Sequence, residues 1–215
     1  MEKIAKIVSW VFLPLLTPVY GIALALYLPS EQDFFSRNSD CLYTIPWTNK
    51  WTILLMFFFF SALTPAVIFY NLKVRGKIST IEIDDRKERN MPITIMFLSC
   101  LALFLSFIFL VGHLPVPKFF FSYPLAGMVS SLAFYFLTQW KKVSLHTGGI
   151  GIMTGFLISY TMLMESAPFW TIPAAIVVSG LVGSARMYLG KHTLLEVTIG
   201  WVTGTFLTFA VNYFY

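Results

Sequence analysis

The chain has 215 residues, of which 57% are hydrophobic and only 12% charged, with a net charge of +5 and a mean hydropathy of +0.75. A soluble domain of this length is never so apolar, so this composition excludes the soluble enzymes and gives no reason to expect a nucleic-acid partner. We expect one integral membrane domain over residues 1–215. Cys41 lies in a polar loop and Cys100 in an apolar stretch, which predicts neither a disulfide nor a thiolate metal site.

About 20 apolar residues are needed to cross a hydrocarbon core of ~30 Å. By that measure we predict an all-α, polytopic transmembrane bundle with seven spans, at 4–28, 51–72, 93–112, 119–140, 148–164, 169–185 and 193–213. Six spans remain the alternative if one short segment is re-entrant. The first span has a basic start but no small-residue cleavage site, so we interpret it as a retained helix. Prolines are expected to kink three of the spans, at Pro14, Pro18, Pro65 and Pro173.

Seven spans place segments 73–92, 141–147 and 186–192 on one side of the membrane, together with the N-terminus. That side would carry 12 of the 15 basic residues, and the other side only Arg37, Lys50 and Lys118. The positive-inside rule makes the basic side cytoplasmic. His113 and Glu165 are expected on the opposite side.

The most informative stretch joins the last two spans and contains Arg186, His192 and Glu196. Ionisable residues at a membrane edge are often functional. On a helix that starts near His192, Glu196 lies four residues further on and therefore on the same face. Its carboxylate can hold one imidazole nitrogen and leave the other to attack, as in a nucleophile with an orienting base. The plainer alternative, a capping histidine and a snorkelling glutamate, is less able to explain all three residues together.

Two further polar stretches fall on the same predicted side. In the charge run at 82–92, Arg86 and Arg89 are three residues apart, so one helical turn would point both guanidinium groups at a phosphate. Lys87 and Glu88 also suit a solvated surface or lipid headgroups. The second stretch, at 144–149, contains Ser144, His146 and two glycines just before an apolar helix. A helix N-terminus with glycines is a favourable site for an anion.

This layout resembles the type 2 phosphatidic acid phosphatase superfamily of integral lipid phosphatases, which is related to the vanadium haloperoxidases. The family motifs are KxxxxxxRP, PSGH and SRxxxxxHxxxD. The third motif corresponds here to Ala185, Arg186, His192 and Glu196, with its spacing kept. The second corresponds to VSLH at 143–146, and the first to DRKERNMP at 85–92.

The resemblance implies a role for each residue. His192 would attack phosphorus and form a phosphohistidine, oriented by Glu196. His146 would protonate the leaving group. Arg186, Arg89, Arg86 and Lys87 would bind the phosphate, together with Ser144 and the backbone near Gly148. No metal and no cofactor are implied.

We therefore expect a membrane enzyme that hydrolyses a phosphomonoester or diphosphate of a lipid. Its substrate would be an anionic lipid phosphate: phosphatidate, phosphatidylglycerol phosphate, a polyprenyl (di)phosphate or a sphingolipid phosphate. The alternatives are a lipid phosphotransferase that uses the same histidine and a non-catalytic transporter or anionic-lipid-binding protein. We expect an integral protein of the bacterial inner membrane with a cytoplasmic-facing site. The sequence does not predict the oligomeric state.

Overall fold

The structure is a computed structural model and describes residues 1–32, 40–80, 86–112 and 116–215. Over these residues the chain is helical, and its extended structure is limited to an isolated bridge between Glu31 and Ser166. The helices are α1 (Glu2–Val11), α2 (Thr17–Tyr27), α3 (Trp47–Phe57), α4 (Thr64–Val74), α5 (Asn90–Val111), α6 (Phe119–Trp140), α7 (Leu145–Leu163), α8 (Thr171–Tyr188) and α9 (Leu194–Phe214). A π-helical segment, Phe58–Leu63, joins α3 to α4, and a 3₁₀ turn, Arg86–Glu88, precedes α5.

Five helices in the described ranges are long and apolar enough to cross a membrane. They are the continuous helix Trp47–Val74, α5, α6, α8 and α9. The predicted all-α class is confirmed, and these five helices agree with a membrane-spanning bundle. The expected span at 148–164 corresponds to α7, which the other helices surround. The number of spans, six or seven, stays a prediction.

The expected first span at 4–28 is two helices instead of one. The chain leaves the helix after Val11 and resumes at Thr17, because Pro14 has no N–H to donate and its ring blocks a continuous helix. Pro18 lies in the first turn of α2, where a missing N–H costs nothing. The predicted kink is therefore a break that leaves α1 as a separate short helix.

The other two expected kinks also have a local explanation. Pro65 lies in the first turn of α4, directly after the π-helical segment, and such a segment is a common way to absorb a helix irregularity. Pro173 is the third residue of α8, where the helix has no hydrogen bond to lose. Pro124, in contrast, lies inside α6.

Helix α7 is the centre of the bundle, and almost every residue of it is buried. It packs against α9 through glycines on both helices. A Cβ on Gly204 would lie 2.3 Å from the carbonyl oxygen of Gly148, and a Cβ on Gly155 would lie 2.3 Å from that of Thr205. Small residues of this kind allow membrane helices to approach backbone to backbone. The two N-termini, which carry His146 and Glu196, are consequently held side by side.

The loops collect at the two ends of the bundle. At one end Arg89, before α5, bonds to Val143, before α7, and Lys142 bonds to the α8–α9 turn. At the other end Glu31 bridges Ser166. The first of these ends holds the described residues of the three polar stretches at 82–92, 144–149 and 186–196.

Candidate active site

The turn between α8 and α9 has a specific cap at each side. Gly190 adopts a left-handed conformation with φ of +65°, its N–H bonds to the Met187 carbonyl, and the N–H of Lys191 reaches back to the Arg186 carbonyl at 3.1 Å. This is a Schellman ending for α8. Helix α9 then begins with a capping box between Thr193 and Glu196. These caps determine where His192 lies relative to the two helices.

His192 and Glu196 are in contact as the sequence predicts. Nδ1 of His192 lies 2.8 Å from Oε2 of Glu196, and the imidazole is almost completely buried. The same Oε2 accepts the main-chain N–H of Thr193 at 3.2 Å. One carboxylate thus caps α9 and orients the histidine, so the group that holds the ring is itself fixed by the helix cap. Nε2 is the nitrogen that Glu196 does not engage.

Two buried guanidinium groups lie beside this histidine. Arg186 is 1% exposed and Arg89 is 2% exposed, and both charges act on His192. Arg89 donates to the carbonyl oxygen of Val143 at 2.5 Å, which joins the start of α5 to the residue before the α7 cap. Because charges inside a protein are little screened by solvent, these two cations favour the neutral form of the imidazole.

His146, in the first turn of α7, completes the cluster. Its side chain is buried, and its Nε2 has no hydrogen-bond partner among the described residues. Arg186, His192 and Arg89 all act electrostatically on its ring. The two histidines that the sequence places 46 residues apart therefore belong to one polar cluster.

Ser144 and Gly148 are already engaged within the protein. Ser144 is the N-cap of α7, and its Oγ accepts the N–H of Thr147 at 3.4 Å. The N–H of Gly148 donates to the Ser144 carbonyl at 2.9 Å, and a Cβ on Gly148 would lie 2.5 Å from the Phe134 ring. The structure thus gives both residues a capping or packing role beside the site.

Of the remaining predicted cations, Arg86 is the one whose side chain the structure describes. Arg86 is exposed and donates to the carbonyl oxygen of Trp140 at 2.9 Å. The side chain of Lys87, residues 82–85 of the charge run, and His113 lie outside the described residues. Of the cations in this run, Arg89 is the one that the described structure buries beside His192.

Sequence reasoning missed two contributors. Lys142 donates to the carbonyl of Lys191 at 2.9 Å and adds a third positive charge near His192. Its position beside the predicted VSLH segment was the available signal. Ser9, in α1, is buried, and its main chain opposes the effect of the cations on the His146 ring. No pattern in the sequence indicated that influence, because α1 was expected to be part of a plain membrane span.

The surroundings of His192 lower its pKa to about 4 from the usual 6.5. Burial is the main cause, and Arg89, Arg186 and Lys142 add to it, while the hydrogen bond to Glu196 opposes the shift. The ring is therefore neutral near pH 7, which is the form that can attack an electrophile.

No model of a known protein family, no curated protein and no solved structure matches the chain. In the described residues, no three or more His, Cys, Asp or Glu side chains are grouped so as to hold a metal ion. What the chain does is therefore inferred from its motifs and from the geometry of this site.

Proposed function

We propose that the chain is a membrane lipid phosphatase that forms a phosphohistidine on His192. The observation that carries the proposal is the 2.8 Å contact between Nδ1 of His192 and Glu196, made beside two buried arginines. A neutral imidazole held by a carboxylate is suited to nucleophilic attack. Buried guanidinium groups are suited to the charge that develops on a transferring phosphoryl group.

In the proposed reaction, Nε2 of His192 attacks phosphorus and the ester P–O bond breaks. The leaving oxygen takes a proton from Nε2 of His146, which gains that proton when the anionic phosphate binds beside it and offsets the charges of Arg186 and Arg89. A water molecule then attacks the phosphohistidine and gives a proton to His146, which frees His192 and releases inorganic phosphate. Arg186 and Arg89 hold the phosphoryl oxygens in both steps. Arg86 and Lys87, which precede Arg89 in the chain, attract the anionic headgroup.

A lipid substrate is supported by the location of the cluster. It lies at the ends of helices that are apolar enough to cross a membrane. An apolar groove between α8 and α9 is lined by Thr147, which follows His146 in the chain, and by Gly183, Val197 and Trp201. A phosphate at the cluster could therefore leave its hydrocarbon tail in this groove. We propose an anionic lipid phosphate as the substrate, acted on at the cytoplasmic face of a bacterial inner membrane.

The test is release of phosphate by purified protein in detergent from a panel of lipid phosphates. The panel contains phosphatidate, phosphatidylglycerol phosphate, a polyprenyl diphosphate and a sphingolipid phosphate. His192→Ala is the matched inactive control. Quenching during turnover in an alkaline denaturant, followed by mass spectrometry without an acid step, should find +80 Da on the peptide that contains His192, because the P–N bond of phosphohistidine is labile in acid.

The alternatives give different results in the same experiment. A phosphotransferase would form the phosphohistidine and pass its phosphoryl group to an acceptor alcohol. It would release inorganic phosphate only when that alcohol is withheld and water takes its place. A binding protein or transporter would retain the lipid phosphates and yield neither phosphate nor phosphohistidine. Activity should survive excess EDTA, and vanadate should inhibit by mimicking the transition state. A strict requirement for an added divalent ion would contradict the proposed reaction.

A further inference from the structure

The groove between α8 and α9 is closed toward the bundle and open toward its outer surface. Buried Thr147, Gly183 and Val197 form its floor, and the exposed residues Ser184 and Thr198 lie along its two walls. A Cβ on Gly183 would lie 2.8 Å from Cγ1 of Val197 and 3.9 Å from Cγ2 of Thr147. Because α7, α8 and α9 meet under the groove in this way, an occupant reaches it from the surrounding lipid.

One end of the groove adjoins the polar cluster on all three helices. Three of the lining residues directly follow residues of that cluster in the chain: Thr147 after His146, Met187 after Arg186 and Val197 after Glu196. The buried charge of Arg186 therefore lies at the end of an apolar channel. This arrangement is complementary to a ligand that has an anionic head and an apolar tail.

The length of the groove matches a hydrocarbon chain better than a helix. Its lining on α8 extends from Met187 to Ile176, which is roughly 16 Å at ~1.5 Å per residue. That is about half of a hydrocarbon core of ~30 Å, the depth of one leaflet, whereas a partner helix would need the whole thickness. The volume of about 410 Å³ is within the usual range of small-ligand sites.

The hydroxyl groups in the floor already have partners within the protein. The Thr147 hydroxyl donates to the carbonyl oxygen of Val197 at 2.9 Å. The Ser179 hydroxyl donates to the carbonyl oxygen of Ala175 at 2.7 Å, and its oxygen lies 3.2 Å from Oγ1 of Thr154. A buried polar group without a partner is costly, and a hydrocarbon chain in the groove would leave neither hydroxyl in that state.

We propose that the groove holds one hydrocarbon chain of the lipid phosphate, which enters sideways between α8 and α9 from the leaflet on the side of His192. A second chain, where the lipid has one, stays in the bilayer. Ser184 and Thr198 determine the width of the entrance and therefore the shape of chain that is accepted. That the bound lipid is a substrate rests on the function proposed above, whereas its binding does not require turnover.

The test locates the chain by photochemical labelling. His192→Ala protein, which does not consume the lipid, is placed in phosphatidylcholine vesicles with a small amount of phosphatidate that carries a diazirine on one acyl chain. Phosphatidylcholine with the same diazirine chain is the control lipid. A diazirine near the ester should label the peptide of Met187 or Leu194, and one near the chain end should label that of Ile176 or Trp201. The control lipid should label exposed apolar surfaces without this preference.

Two variants fill the groove from opposite walls. Ser184→Trp and Thr198→Trp should each lower labelling of the groove by phosphatidate roughly tenfold, because overpacking a site shifts an equilibrium by about that factor or more. Leu181→Trp and Val202→Trp are the matched controls on the same helices. Both residues are about half exposed and lie outside the groove, so labelling should be unchanged. Since the two walls belong to different helices, misfolding of one variant leaves the other as a test.

Equal labelling of the groove by the two lipids, or unchanged labelling in both groove variants, would overturn the proposal. If a second copy of the chain filled the groove instead, lipid labelling would be absent there and the groove variants would convert a dimer to a monomer in native mass spectrometry. Phosphate release by the wild type without labelling of the groove would refute the groove alone. Labelling of the groove without phosphate release from any lipid would refute the phosphatase alone.

Discussion

The main-chain N–H of Ser144 donates to the carbonyl oxygen of Glu196 over 3.2 Å. This bond joins the cap of α7 to the first turn of α9; His146 lies in the first turn of α7, and His192 directly precedes the cap of α9. It depends on close packing of the helices, since a Cβ on Gly200 would lie 2.5 Å from the Ser144 carbonyl oxygen. The distance between the two histidine-bearing turns is thus set by backbone contacts, which are less adaptable than side-chain contacts.

The first prediction separates the two roles of Glu196. Glu196→Gln keeps a side chain that suits the capping box but removes the negative charge beside His192. We expect a fall in kcat of about 10²-fold, typical for loss of an orienting partner, with thermal stability maintained. Glu196→Ala should show the same loss of activity and, in addition, a lower Tm, because a lost cap costs about 1 kcal/mol.

His192→Ala should remove turnover completely while the protein still elutes and melts like the wild type. Rates of phosphate release and melting curves of the three purified variants provide the comparison. Substantial hydrolysis by His192→Ala would contradict the assignment of the nucleophile.

The second prediction concerns pH. His192 attacks in its neutral form, and its pKa of about 4 means that the free enzyme keeps the neutral form as pH falls from 7 toward 5. The acid limb of kcat/KM, which reports the free enzyme, should therefore lie near the pKa of His192. Lys142→Met removes one of the cations that lower this pKa, so the limb should move to higher pH.

Lys141→Met is the matched control, because Lys141 is exposed and is not among the cations that act on His192. Its profile should coincide with that of the wild type. A limb that shifts equally in both variants would mean that surface charge in general, and not the site, determines the profile.

The third prediction tests the glycine contacts that align the site. Gly204→Ala would place a Cβ 2.3 Å from the Gly148 carbonyl and force α7 and α9 apart, an overpacking that typically costs about 1–3 kcal/mol. Gly180, in α8, has no neighbour within 4 Å of its Cβ position, so Gly180→Ala should be harmless. Melting temperatures and phosphate release of the two variants would measure the difference.

The contact between His192 and Glu196 could be predicted from the sequence because it depends on spacing along one helix, and spacing of four residues is a local property. The all-α class could also be predicted from the sequence, since a long apolar stretch in a membrane has few alternatives to a helix. The cap functions of Ser144 and Glu196 are local as well.

The sequence could not predict which basic residue of the charge run becomes buried. Arg86 and Arg89 have the same chemistry, and only tertiary packing places Arg89 against Val143 and leaves Arg86 exposed. At Pro14 the sequence predicted a kink, whereas the structure has a break. The composition of a segment does not show how the segment packs against neighbouring helices, so the sequence could not distinguish the two.

The last prediction is the orientation of the chain. The positive-inside rule places the side of His192 in the cytoplasm even when the basic residues at and around the predicted site are left out. These seven residues are Arg86, Lys87, Arg89, Lys141, Lys142, Arg186 and Lys191. Without them, that side still has five basic residues against three on the other side: Lys3, Lys6, Lys73, Arg75 and Lys77.

The assay uses a background in which Cys41 and Cys100 are replaced. Single cysteines at Lys77 and Lys141, both exposed, should resist a membrane-impermeant thiol reagent in intact cells and react after permeabilisation. A cysteine at Glu165, exposed at the other end of the bundle, should react in intact cells. The reverse pattern would place the site on the outer face, and reaction at only one of Lys77 and Lys141 would show that the two segments lie on different sides of the membrane.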